Sequence, residues 1–498
     1  MKKFTVASCI ALFLLELFLF TRVPLDTDIL WHFKLGEEIL ETKQIITANS
    51  YSFLPGTYWL QQEWLYDVCL YLVLHYGELL GYGILYALNM VFLYVLTLRF
   101  NKNRYDFLYL FLFVVTDLAF ARNRGCRPAE FSVYLVPLIM WMYLALKSKW
   151  KYLLFLCYGI FAANFHCGVL VVAIPVFLLL LLSDLVSDTV TGIKKKGYLS
   201  HILELGCLIL GSFINPSGVY LFRDTFRISS LDSTQYIEEW KAYSLGYFSA
   251  VFVLSIVLSF GYILYKGRWS RYYIQRVTVL CALLVLGLVS QKAFFIFLVM
   301  WLFYGYHIYE EFLLDLLQKT KLLKVFSLFR ARSVRFSELL FVVGLSLILA
   351  YYSDGFYKHG FVEYANEEVP AAILNTLKEE PDARILASYS DANWLLFNDI
   401  KCFVDTRQWP YAKELNPEGP LDELIYVSVH PMDTEALDTF FDKYRFDYVW
   451  VSKSLPLSSY MEDNPNYTCV VKVEDDTSYE NIYDRRFQNN QYLYKKIR

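Results

Sequence analysis

The hydrophobic residues of this chain come in runs. Segments 4–23, 84–98, 169–182, 248–265 and 339–352 are almost uncharged, and several such runs reach the length that a helix needs to cross about 30 Å of hydrocarbon. Hydrophobic residues make up 56% of the chain and charged residues only 19%, against about a quarter in ordinary soluble domains. A water-soluble fold could not hide that much apolar surface. The chain therefore reads as a polytopic α-helical membrane protein. It does not read as a secreted domain, a nucleic-acid binder or a cytosolic enzyme.

The apolar windows place eleven spans, near 4–23, 82–98, 106–121, 130–146, 152–165, 168–183, 200–214, 247–265, 277–290, 293–310 and 338–353. The first is read as a retained span, because no small-residue cleavage pattern follows it. With the N-terminus in the cytoplasm, the inner loops collect 21 of the 31 Lys and Arg residues that precede Asp354. An odd number of spans then puts the C-terminal segment outside. That segment is a different material: residues 354–498 carry net charge −11, and residues 1–353 carry +8. The expected organisation is a membrane domain over 1–353, with a first outer loop at about 24–81 bearing amphipathic helices, and an extracytoplasmic α/β domain over 354–498. In the latter, 384–388, 402–405, 448–452 and 468–473 read as strands, and 369–379 and 434–444 as helices. None of the nine cysteines forms a CxxC pair. Cys402 and Cys469 lie in the tail with no spacing that indicates a disulfide.

Charges that break the inside bias carry the functional signal. Arg122, Arg124 and Arg127 crowd one short outer loop, and Lys292 sits at the same level between two spans. A planar guanidinium fork suits phosphate, so these four are candidates for binding a lipid-linked phosphate or diphosphate. Snorkelling to lipid headgroups, or pairing with first-loop carboxylates, is the competing explanation. The first outer loop opens Asp26-Thr27-Asp28 and runs into an apolar-periodic stretch expected to lie along the membrane surface, with Asp28 and His32 one helical turn apart. Glu63 heads the next amphipathic stretch. Helix capping and the first-turn dipole explain single carboxylates at such places. Acidic points beside outer arginines, at a depth where charge is costly, indicate chemistry instead. His166, in the tight hairpin Asn164-Phe165-His166, and Glu239, before Trp240, lie at the same depth. Arg407, in Asp405-Thr406-Arg407, offers either an internal pair with Asp405 or a ligand contact. A divalent cation is left open, with Asp26, Asp28 and His32 as its candidate ligands.

Taken in order, Asp26-Thr27-Asp28, Trp31-His32, Gly36-Glu37, Asn49–Phe53, Gln62-Glu63-Trp64-Leu65, Arg127-Pro128, Asn164-Phe165-His166, Asn215-Pro216, Glu239-Trp240 and Val404–Arg407 resemble the GT-C superfamily of membrane glycosyltransferases. They are most like its polytopic bacterial members with an aspartate-rich first outer loop. The resemblance implies a polyprenyl-phosphate sugar donor and a glycan, lipid or protein acceptor on the outer face of the cell membrane. It gives Asp28 the place of the acceptor-serving aspartate, with Asp26 and then Glu63 behind it. His32, His166, Glu239 and Arg407 fall on the acceptor or sugar side. The sequence departs from the pattern at Gln62, where a histidine is expected, and in the single lysine after the ninth span. An inverting transfer needs one carboxylate to take the acceptor's proton and preorganised cations for the departing phosphate. The alternatives are a ligase or polymerase of lipid-linked glycans, a transporter, or a non-catalytic scaffold. The absence of internal repeats and of mid-membrane charge disfavours transport.

Overall fold

The computed structural model describes residues 3–20, 25–54, 60–100, 106–120, 127–192, 197–230, 246–268, 270–317, 360–362, 370–474 and 490–497. Helices dominate as far as residue 317: α1 Lys3–Phe20, α2 Asp28–Thr42, α3 Trp64–Phe100, α4 Asp106–Phe120, α5 Ser132–Ala145, α6 Lys151–Phe165, α7 Gly168–Thr191, α8 Tyr198–Ser212, α9 Tyr220–Ser229, α10 Tyr247–Tyr265, α11 Arg271–Val289, α12 Gln291–Tyr304 and α13 Tyr306–Leu317. Among the described residues, four helices are long and apolar enough to cross a membrane: Trp64–Leu98, Pro128–Ala145, Gly168–Thr191 and Arg271–Val289. The pair α12 and α13, bent by 69° about Gly305, makes a fifth if it is one span. Five of the eleven expected spans fall on shorter apolar helices, Thr5–Phe20, Leu108–Asp117, Lys151–Phe165, Tyr198–Ser212 and Ala250–Tyr265. The expected span at 338–353 lies outside the described residues.

The chain divides into two compact units. One comprises Met1–Val23, Tyr82–Leu221 and Gln235–Phe356; the other joins Pro24–Gly81 and Phe222–Thr234 to Tyr357–Arg498. The first loop therefore compacts with the tail rather than with the helices around it in sequence.

Within the helical unit, glycines set the closest approach. A Cβ on Gly159 would lie 2.2 Å from the Leu208 carbonyl oxygen, and one on Gly211 2.2 Å from that of Leu156, so α6 and α8 meet backbone to backbone. Charge is held in pairs. Arg271 of α11 reaches Asp184 and Asp188 of α7 at 2.7 Å each, and the Tyr143 hydroxyl donates to Asp184 at 2.8 Å.

The second unit is built on a four-stranded sheet. Its further elements are α14 Ala371–Lys378, β1 Ile385–Leu386, α15 Tyr389–Phe397, α16 Leu421–Val429, α17 Thr434–Tyr444, β2 Tyr448–Ser452, α18 Pro456–Asp463, β3 Tyr467–Val473 and β4 Gln491–Lys496. The order is β1-β2-β4-β3. β1 runs parallel to β2, the other pairs are antiparallel, and a bulge at Cys469/Val471 interrupts β3. β2 is buried at every position and packs over Phe440, Phe441, Tyr444 and Phe446. The expected strand at 402–405 is instead a single parallel bridge between Cys402 and Ser52, because its partner is first-loop backbone that stays in register for only one residue pair. Phe53 then seats against Phe403, with centroids 5.8 Å apart.

Helix α2 does not present a lone amphipathic face. Ile29, Leu30, Trp31, His32, Phe33, Leu35, Gly36 and Ile39 are all buried. Trp31 and Leu35 pack on Leu396 of α15, and Gly36 lies so close to α3 that a Cβ there would be 2.2 Å from the Asp67 carbonyl oxygen. The surface-lying helix expected from sequence is thus largely enclosed by the α15 and α3 elements of its own unit.

Candidate functional site

Asp28 opens α2, and its carboxylate accepts a hydrogen bond from the Thr406 hydroxyl at 2.5 Å, across 378 positions of sequence. Thr406 in turn accepts from the Asn393 amide of α15 at 2.7 Å, and the same amide donates to the Thr27 hydroxyl at 3.1 Å. Asn393 is fully buried, so this chain of bonds gives the half-buried Asp28 a fixed direction. Asp26 stands just before the N-cap Thr27: its carboxylate accepts from the Asp28 backbone N–H at 3.0 Å, and its carbonyl from that of Ile29 at 3.1 Å. Asp26 and Asp28 therefore divide the work, one shaping the helix start and the other held by the tail.

One turn further along α2, His32 leaves the Asp28 neighbourhood and turns toward α3. Its Nδ1 lies 2.5 Å from the Asp67 carboxylate, and its Nε2 lies 4.0 Å from that of Glu63. The ring lies tilted by 31° against Trp31, with centroids 3.5 Å apart, and meets Tyr66 edge-on at 4.9 Å. Asp67 also accepts from the Gln61 amide at 2.7 Å. His32 and Asp67 are buried, at 1% and 0% side-chain exposure, whereas Glu63 reaches the surface at 19%. Asp67 was not singled out in the sequence, although a lone acid in an apolar helix was the signal for it. Asn393 carried no local signal at all.

Arg407 is enclosed within the unit. Its Nε and Nη2 donate to the two Asp405 carboxylate oxygens at 2.8 and 2.5 Å, and Nη2 also donates to Asn49 Oδ1 at 2.8 Å. Tyr411 donates to Asp405 at 2.6 Å, and the Asn49 amide donates to Tyr411 at 3.0 Å. Burial works against the Arg407 cation, but the Asp405 charge outweighs it and holds the guanidinium proton more tightly than usual. Beside α2, a cavity of about 290 Å³ is lined by Lys34, Glu37, Glu38, Tyr51, Asp399 and Lys401, among others. Burial and then the Glu38 acceptor raise the Tyr51 phenol above its normal range, so the ring stays a neutral donor.

The remaining candidates belong to the helical unit. Arg127 caps the 3₁₀ turn Pro128–Phe131 in extended conformation. His166 ends α6, with its ring over Gly168, where a Cβ would meet Nε2 at 2.6 Å. Asn164 donates to the Ile160 and Ile214 carbonyls at 2.7 and 2.9 Å, tying the hairpin to the end of α8. Arg122, Arg124 and Glu239 lie outside the described residues, as does the side chain of Lys292 on α12. Among the described residues, no three His, Cys, Asp or Glu side chains are grouped to hold a metal ion.

Apolar helices of spanning length, joined in one chain to a small mixed sheet, define a helical membrane protein. Among solved structures, the archaeal oligosaccharyltransferase AglB from Archaeoglobus fulgidus, in complex with an inhibitory peptide and a dolichol-phosphate, matches with TM-score 0.52 at 10% identity, over 90% of this chain and 69% of that one. The apo form of the Archaeoglobus fulgidus oligosaccharyltransferase matches with TM-score 0.50 at 11% identity, over 89% and 69%. No protein-family model and no curated protein matches the sequence. The likeness is one of fold: most of this chain is folded like these two oligosaccharyltransferase structures.

Proposed function

We propose that this chain is an integral-membrane glycosyltransferase that moves a sugar from a polyprenyl-phosphate-linked donor to an acceptor on the outer face of the membrane, with inversion. The observation that carries the reading is the Asp28 carboxylate, half-buried and aimed by Thr406 and Asn393, in a chain folded like these two oligosaccharyltransferase structures. In this reading the Asp28 carboxylate takes the proton of the acceptor nucleophile as that atom bonds to the sugar's anomeric carbon. The bond from that carbon to the phosphate oxygen breaks at the same time, and its electron pair leaves with the lipid phosphate. Arg122, Arg124, Arg127 and Lys292 are assigned to the phosphate, where fixed cations in a low-dielectric groove stabilise the departing charge. Lys34, the Tyr51 hydroxyl and the carboxylates of the adjoining cavity suit a hydroxyl-rich acceptor. The proposed topology keeps eleven spans, a cytoplasmic N-terminus and an outer tail. Transfer of a preassembled glycan rather than one sugar remains the second reading, because the neighbour of like fold is an oligosaccharyltransferase.

The test is turnover in nanodiscs with a panel of polyprenyl-phosphate sugars and polyprenyl-diphosphate glycans, offered to peptide, lipid and glycan acceptors. Released lipid phosphate is the readout. Asp28→Asn is expected to abolish release while leaving expression and melting temperature unchanged. Full turnover in that variant would move the base elsewhere. Silence of the folded wild type across the panel would reject the class.

A further inference from the structure

Three titratable side chains outside the Asp28–Thr406 contact stand in line from the interior of the second unit to its surface. Asp67 is fully buried, His32 is 1% exposed, and Glu63 is 19% exposed. The Gln61 amide donates to one Asp67 oxygen at 2.7 Å, and the other oxygen meets His32 Nδ1 at 2.5 Å. With Asp67 ionised, its oxygens only accept, so Nδ1 carries the proton and Nε2 is left to face Glu63 at 4.0 Å. That gap exceeds a hydrogen bond by about 1 Å, a distance that a small rotation of the Glu63 side chain closes.

We propose that Glu63, His32 and Asp67 form a proton relay, with Glu63 as its solvent end, His32 Nε2 as the carrier atom and Asp67 as the positioning residue that holds the imidazole in the Nδ1–H form. The transfer balances. A proton on the Glu63 carboxyl passes to Nε2, leaving a Glu63 carboxylate and a His32 imidazolium whose positive charge faces the Asp67 carboxylate; the reverse step returns it. Without a cation beside it, a fully buried carboxylate is costly, and the imidazolium supplies one without any change in packing. Trp31 and Tyr66 fix the ring plane, so the proton moves along one axis. The charged groups facing the ring are Asp67 and Glu63. On its own helix Asp28 is held by Thr406, and Lys34 is paired with Glu37 and with Asp399 beyond α15. A role for the relay in turnover rests on the glycosyl-transfer reading; the relay itself does not.

The deciding experiment is ¹⁵N NMR of histidine-labelled full-length protein in nanodiscs, with His32 assigned by its loss in His32→Gln. In the wild type, Nδ1 should carry a proton in a strong hydrogen bond. In Asp67→Asn, Gln61 holds the new amide with its oxygen toward itself and its NH₂ toward the ring. Nδ1 must then become an acceptor and the proton move to Nε2. A purely packing role for Asp67 would not switch the tautomer. Glu63→Gln, a change at the exposed end, should shift the Nε2 resonance and leave Nδ1–H in place. That variant keeps the test alive should Asp67→Asn fail to fold. A bare Nδ1 in the wild type, retention of Nδ1–H in folded Asp67→Asn, or a Glu63→Gln spectrum that superimposes on the wild type overturns the proposal. In the turnover assay Asp67→Asn should lower kcat about tenfold or more with KM unchanged. Should no protein turn over at all, the enzymatic reading fails while the spectra still decide the relay.

Discussion

Removing the Arg407 side chain separates a structural role from a ligand-binding one, and the size of the effect follows from its partners. Arg407→Ala takes away both donors to Asp405 and the donor to Asn49, all within a site of 1% and 0% side-chain exposure. Losing one partner of a buried ion pair costs roughly 3–5 kcal/mol, because the remaining charge is stranded. Asp405 would keep the Tyr411 hydroxyl at 2.6 Å and the backbone N–H of residue 407 at 3.0 Å, which puts the cost at the lower end, about 3 kcal/mol. In a unit of about 200 residues each kcal/mol moves the melting temperature by about 2–4 °C. The expected drop is therefore about 6–12 °C, read by tryptophan fluorescence of the full chain in nanodiscs. Combining Asp405→Asn with Arg407→Met strands no charge and should recover at least half of the loss. If Arg407→Ala melts within about 2 °C of the wild type yet loses acceptor binding, the pair is not what holds Asn49 to the tail, and Arg407 serves a ligand.

Three further outcomes are expected. Thr406→Val removes one hydrogen bond to a charged group, worth about 1.5–3 kcal/mol, and should lower the melting temperature by about 3–12 °C while cutting turnover of the still-folded protein roughly 10–100-fold; undiminished turnover would show that Asp28 needs no aiming. Gly159→Leu forces a Cβ to within 2.2 Å of the Leu208 carbonyl oxygen and should cost about 3 kcal/mol or more in unfolding assays, whereas Gly206→Ala in the same helix pair meets nothing within 4 Å and should be neutral or slightly stabilising. Burial pushes the Asp391 carboxyl up from 3.8 to about 6, against the Ser388 hydroxyl that donates to it. The folded value lies above the unfolded one, so the penalty is present at neutral pH and fades as pH falls from about 6 to below 3.8. Asp391→Asn should accordingly melt higher than the wild type at pH 7.5 and lose that advantage by pH 4.

Local signals were legible where one element carries its own pattern. The helix over 434–444 and the strand over 448–452 stand where the sequence placed them, because Asp433 caps an amphipathic turn and a β-branched, aromatic run fills a buried strand. The helix Tyr389–Phe397 was passed over, although Ser388 and Asp391 form a reciprocal cap at its start. β4 reads as polar alternation that only its pairing with β2 explains. At the candidate site, Asp28 was legible because carboxylates at the head of an outer loop are costly. Its partners were not, since Thr406 and Asn393 lie more than 360 positions away and a hydroxyl or an amide has no periodicity. Arg407 illustrates the converse: its sequence context admits both an internal pair and a ligand contact, and only the positions of Asn49 and Tyr411 bring out the internal one.

The same long-range bonds explain why an acidic, water-compatible tail would be kept on a membrane protein. A loop of about 40 residues between helices is entropically free to sample many conformations, and an aspartate at its head would have no fixed direction. Here Asn49 is bonded to Tyr411 and Arg407, Ser52 to the Phe403 carbonyl, Asp28 to Thr406 and Lys34 to Asp399. All of these contacts join the first loop to one stretch of the tail, residues 399–411. Preorganisation of that kind is what a base needs when its task is to meet an acceptor at one point. In this reading the tail acts as the template for the loop, and the chemistry of the loop depends on residues that never touch a substrate.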